Sequence, residues 1–73
     1  MQLFPNPADL YINIRSSDWI NNIQLIDMSG KILSVQTVAA DFYQIDLSNL
    51  QAGFYLLNVN TEFGTKTLKF SKL

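Results

Sequence analysis

Leu10, Ile12 and Ile14 alternate with Tyr11, Asn13 and Arg15, the two-residue repeat of a strand with one face buried. Upstream, Pro5-Asn6-Pro7 is unfit for a helix or a ladder, because each proline lacks a donor, has a fixed φ and pushes its predecessor toward extended geometry. Residues 1–9 are therefore expected to form a stiff lead-in, with residues 10–73 as the folded domain. A second apolar cluster, Ile23, Leu25 and Ile26, runs into Asp27-Met28-Ser29-Gly30-Lys31, where an aspartate can brace a turn and Gly30 can take a positive φ. This pattern predicts a hairpin that returns along Ile32 to Val38, a stretch rich in β-branched residues. From Asp18 to Ile26 a helix competes, since Asp18 could cap it and Trp19, Ile20, Ile23 and Ile26 roughly follow helical spacing; Asn21-Asn22 weigh against it.

Further on, Tyr43, Ile45 and Leu47 alternate with Gln44 and Asp46, and Ser48 to Gly53 reads as a loop closed by glycine. Phe54 to Val59 is apolar on both faces, as a strand inside a sheet would be, and Thr61-Glu62-Phe63-Gly64 supplies a turn. In the last segment Leu68 and Phe70 share one face, Thr67, Lys69 and Ser71 the other, and Lys66 and Lys72 flank the apolar pair. Short strands separated by turn signals predict an all-β fold, a small antiparallel β-sandwich of six to seven strands. No internal repeat, linker or low-complexity tract interrupts the pattern.

The chain has 73 residues, enough for one domain, and at this size only about 60% of the unfolded surface is hidden. Its 48% hydrophobic content places it among folded proteins, and a net charge of -1 offers no electrostatic footprint for nucleic acid. Membrane insertion is not expected: the longest strongly apolar run, Phe54 to Leu57, falls far short of the ~20 residues a spanning helix needs. The first residues also lack the basic-then-apolar order of a signal peptide. With no cysteine and no histidine, the chain has no disulfide, no thiolate metal site and no imidazole base. No cofactor is expected.

Asp9, Asp18, Asp27, Asp41, Asp46 and Glu62 could in principle pair for acid–base work or gather around calcium, but most sit beside turns and no calcium-loop spacing is present. Ser71 beside lysines is the remaining candidate nucleophile, and adjacent strand residues point to opposite faces, so no catalytic residue is expected. Trp19, Tyr11, Phe42 and Tyr43 could form a platform for sugar rings, which would make the chain a carbohydrate-binding or adhesive module. In a domain with little interior, core packing is the expected fate of most of them. Lys66, Lys69 and Lys72 have two readings that stay open: protection of an edge strand, or a basic pattern that a partner recognises.

The order of short motifs says more than any one of them. Pro5-Asn6-Pro7 follows Leu3-Phe4; then come Asp27 with Gly30 and Lys31; then Ile45-Asp46-Leu47-Ser48 with Leu50, Gly53 and Tyr55; then Lys66, Lys69 and Lys72 around Phe70. From Leu3 to Leu73 this succession closely resembles the type A C-terminal sorting domain of the type IX (Por) secretion system. Asp41-Phe42 departs from it, standing where members often carry small turn-forming residues.

The resemblance implies an immunoglobulin-like β-sandwich at the end of a larger secreted protein of a Gram-negative bacterium. It also implies no enzymatic activity. The fused cargo would cross to the periplasm and then pass the outer membrane to the cell surface or medium. The implied partners are the outer-membrane translocon and the sortase and shuttle components, with a sortase-type peptidase cutting before the domain. Lys66, Lys69, Lys72 and Phe70 are the expected recognition residues, and Gly30, Gly53 and Gly64 are expected to serve the fold.

Overall fold

Five strands and no helix make up the computed structural model, which describes Met1 to Leu73. They are β1 (Gln2–Phe4), β2 (Tyr11–Asp27), β3 (Ile32–Asp46), β4 (Gly53–Thr61) and β5 (Gly64–Lys72). All pair antiparallel in one sheet of order β1-β2-β4-β5, with β3 running along the other side of β2. The first part of β2, Tyr11 to Arg15, lies between β1 and the end of β3; the second part, Ile20 to Asp27, lies between the start of β3 and β4.

The sheet closes on itself because its two longest strands are irregular. Between Arg15 and Ile20, β2 advances five residues while β3 advances only two, from Phe42 to Ala40. Against β4, β2 then carries one surplus residue between Ile20 and Asn22, opposite the step from Thr61 to Asn60. Side chains alternate with period two, so one extra residue exchanges the faces. Buried positions are accordingly Ile12, Ile14 and Ile20 before the bulge, but Ile23 and Leu25 after it. In β3 the matching irregularity falls at Ala39, a non-glycine residue at φ 52°. The bent halves face each other as a small antiparallel β-sandwich.

One hydrophobic core fills the gap. Ile12, Ile14, Ile45 and Leu47 contribute from one half, and Ile23, Leu25, Tyr55, Leu57, Val59 and Phe70 from the other. The molecule measures 31 × 22 × 16 Å, so there is room for only this one layer of side chains between the halves.

Several expectations are corrected. The six to seven strands resolve into five: the segments expected around Leu10–Ile14 and Ile23–Ile26 fuse into β2, those expected from Ile32 to Val38 and from Tyr43 onward fuse into β3, and β1 adds a strand inside the expected lead-in. Asp18 to Ile26 is strand throughout, its apparent helical spacing being the change of face at the bulge. Asp41-Phe42 lies inside β3 instead of in a turn. Leu10 is exposed. Residues 1–9 do not stand apart from the fold, because β1 pairs with β2 and Ala8 is fully buried.

Candidate functional site

The basic terminal strand and the segment that holds its end form the candidate site. β5 pairs with β4 without a break, from Gly53 opposite Lys72 to Thr61 opposite Gly64. This regularity accompanies burial at every second position of β4, where Tyr55, Leu57 and Val59 form an apolar row that ends at the buried, polar Thr61. The hairpin turns at Glu62-Phe63, with Thr61 Oγ accepting from the Phe63 N–H at 3.1 Å and Gly64 at φ 120°. An L side chain at that φ would be strained, which accounts for the glycine.

Alternation along β5 divides the three lysines. Lys66 and Lys72 share a face with Leu68 and Phe70, while Lys69 lies on the opposite face with Thr65, Thr67 and Ser71. Lys66 and Lys69 are exposed and Lys72 is half-buried. Lys69 Nζ sits 4.6 Å above the Phe54 ring, a cation–π contact that holds the ammonium over β4. The Lys72 ammonium donates to the Leu73 carbonyl at 3.2 Å. Phe70 is 1% exposed and stacks on Tyr55 at 5.8 Å, so in the folded domain it anchors β5 and presents no surface to a partner.

Pro5-Asn6-Pro7-Ala8 is clipped onto the end of this strand. Asn6 Oδ1 accepts from the Ser71 N–H at 3.2 Å, the Ala8 N–H donates to Ser71 O at 2.8 Å, and the Leu73 N–H donates to Ala8 O at 2.8 Å. Ala8 therefore bridges Lys72 in parallel pairing. The prolines carry no N–H, so the hydrogen bonds come from the residues between and after them. Motifs at opposite ends of the chain meet here. Sequence reasoning missed Asn6 and Ala8 as strand partners, since nothing local marks a bond between residues 65 apart.

The other motif residues brace turns at a distance from β5. Asp27 Oδ1 accepts from the Ser29 N–H at 2.9 Å, the Ser29 hydroxyl at 2.6 Å and the Lys31 N–H at 3.0 Å, and Gly30 sits at φ 92°. The Ser29 hydroxyl first, then the Lys31 N–H, hold the Asp27 carboxyl below its ordinary value. Asp46 is lowered likewise by Ser48, first by its hydroxyl and then by its N–H, which donates to the carboxylate at 2.8 Å. Gly53, at φ 149°, opens β4. The Tyr55 hydroxyl donates to the Gln51 carbonyl at 2.6 Å, tying the preceding loop to β4. Asp18 and Asp41 lie within β2 and β3, away from these turns, and no three acidic residues gather in an arrangement that could hold a metal.

The aromatics divide differently from expectation. Trp19, Tyr11 and Phe42 are exposed. They form no joint platform. Phe42 is tilted by 48° against Phe4, the Arg15 guanidinium lies 5.3 Å from the Phe4 centroid and 5.7 Å from that of Phe42, and Tyr43 packs against the core from the other face of β3.

Residues 2–72 match the family described as the secretion system C-terminal sorting domain, and the chain belongs to that family. The family is the C-terminal sorting signal of type IX secretion. Such a domain is part of a cargo protein handled by that system and marks it for the cell surface or for release. No curated protein matches the chain.

Proposed function

We propose that the chain acts as an address label on a larger cargo, read in its folded state at the outer membrane, and that it catalyses nothing itself. The observation that carries this reading is family membership across nearly the whole chain. The cargo passes through the periplasm, the outer-membrane translocon and its shuttle components take it across, and a sortase-type peptidase removes the domain by cutting before it.

Lys66, Lys69 and Lys72 are the residues through which β5 is read. Three of the chain's five cationic side chains lie within this one strand, in a molecule whose net charge is -1. A partner that straddles the open edge of β5 meets lysines from both faces, which favours an acidic groove over a flat surface. Phe70 supports the reading from beneath by fixing the strand, and the clip at Asn6 and Ala8 keeps its end from fraying.

The test is the combined replacement of Lys66, Lys69 and Lys72 by Glu in a reporter fused ahead of the chain, expressed in a type IX-competent cell. Export should be abolished while the circular dichroism melting curve of the isolated domain stays that of a folded protein. Full export of the folded triple variant overturns the role of these lysines.

A further inference from the structure

The two long edges of the sheet differ in how they are guarded. β5 carries a lysine at three of its nine positions, and its end is covered by Asn6 to Ala8. β3 pairs only with β2, so its other side is unpaired along its length. From Ile32 to Ala40 it has no charged residue, no proline and no glycine. Ile32 and Val35 are 51% and 58% exposed. An open edge with unpaired N–H and C=O groups, high β-propensity and no charge is a template for another strand, and proteins ordinarily protect such edges.

Local geometry sets where an added strand could lie. β3 has a surplus residue at Leu33, where Leu25 pairs with Ser34 and Ile26 with Ile32. A second irregularity falls between Thr37 and Ala40 and contains Ala39 at φ 52°. Both kink the edge, so the regular window is Ser34-Val35-Gln36-Thr37.

We propose that this window is a docking edge for an extended, uncharged segment of a protein of the export machinery, which adds beside β3 as a further strand. The proposal rests on the sorting reading above and adds to it a second contact, remote from the lysines. Main-chain hydrogen bonds supply most of such a contact, and Ile32 and Val35 supply apolar cover on one face. The occupant is uncharged because a charged side chain would be brought against these apolar groups without a partner. A window of four residues buries far less than the roughly 1,200 Å² of a stable interface, so the contact is transient, as a label that is later released requires. By the same measure two copies paired through this window form no lasting dimer.

Val35→Lys and Thr37→Lys test the edge in the reporter fusion, with Val35→Thr as an uncharged, β-branched control. Each lysine variant should lower export by roughly tenfold, as expected when a charge is forced into a small apolar contact, while the control exports normally. Melting curves of the isolated variants should match the parent, both positions being exposed. Normal export of both lysine variants beside an exported parent overturns the docking edge and leaves the sorting reading standing. Failure of the parent fusion to be exported overturns the sorting reading and this proposal with it. A dimer in sedimentation at about 100 µM that Val35→Lys dissociates assigns the edge to self-association and also overturns the proposal.

Discussion

The two long hairpins of this domain are built on opposite principles. β4 and β5 pair residue for residue through nine positions and turn in two residues. β2 and β3 break register three times and bend through the middle. The straight hairpin displays a strand, whereas the broken one makes the sandwich, because only a change of face along β2 lets Ile12 and Ile14 meet Leu25 and Leu57 across one core. In so small a domain closure of the sheet thus depends on defects in pairing, which the regular hairpin lacks.

Deleting Asn21 attacks that division most directly. Without the surplus residue β2 and β4 fall into one register, and either Ile20 or the pair Ile23 and Leu25 must turn to solvent. All three side chains are buried, and fully burying one is worth about 1.5–3 kcal/mol, so the loss approaches the whole stability of a chain this size. The expected product is unfolded at 25 °C by near-ultraviolet circular dichroism. A glycine inserted between Glu62 and Phe63 changes length by the same single residue but leaves the β4–β5 register free, and should cost about 1 kcal/mol or less in urea unfolding. Equal losses from the two changes would erase the distinction between the hairpins.

A smaller effect is expected at the clip, where the regular hairpin borrows partners from outside itself. Ala8 is fully buried, so Ala8→Leu overpacks its site and should cost about 1–3 kcal/mol. Asn6→Ala removes one exposed hydrogen bond to the Ser71 N–H and should cost about 0.5–1.5 kcal/mol. Urea midpoints measure both, and hydrogen exchange at Ser71 and Leu73 shows whether the end of β5 opens separately. Unchanged midpoints in both variants would mean that Pro5 to Ala8 rides on the sheet without supporting it.

The regular hairpin was legible in the sequence because each of its signals is local: an apolar strand, a turn with glycine, and alternation around Leu68 and Phe70. In β2 and β3 the same reading located the apolar residues but divided the strands, since a bulge shifts periodicity just as a strand end does, and only pairing with β4 tells them apart. The lysines were visible as a cluster, yet their division between two faces and the burial of Phe70 required the register. The clip was beyond local reading altogether, as Asn6 and Ser71 meet only once the sheet has closed. Most of Trp19, Tyr11, Phe42 and Tyr43 were expected inside for want of core material; a single layer between two bent halves takes up only Tyr43 and leaves the other three exposed.

The smallest expected effect separates the hairpins by pH. The β2–β3 turn is braced by the Asp27 carboxylate, and the β4–β5 turn by the Thr61 hydroxyl, which does not titrate. In the folded state Asp27 lies below its ordinary 3.8, so its contribution is fully present above that value. As pH falls, the unfolded chain takes its proton first, and the contribution is lost as pH passes down through the folded value. Amide chemical shifts of Ser29 and Lys31 should therefore titrate with a midpoint below 3.8, while that of Phe63 stays flat through the same range. Ser48 should follow Ser29, because it donates to Asp46 in the same manner. Asp27→Asn should leave Phe63 unaltered and reduce the dependence of the urea midpoint on pH below about 4, the range in which an ordinary carboxyl takes up its proton. A midpoint at or above 3.8 for Ser29 and Lys31 would show that the carboxylate bonds do not brace the turn in solution, leaving the two hairpins alike in acid.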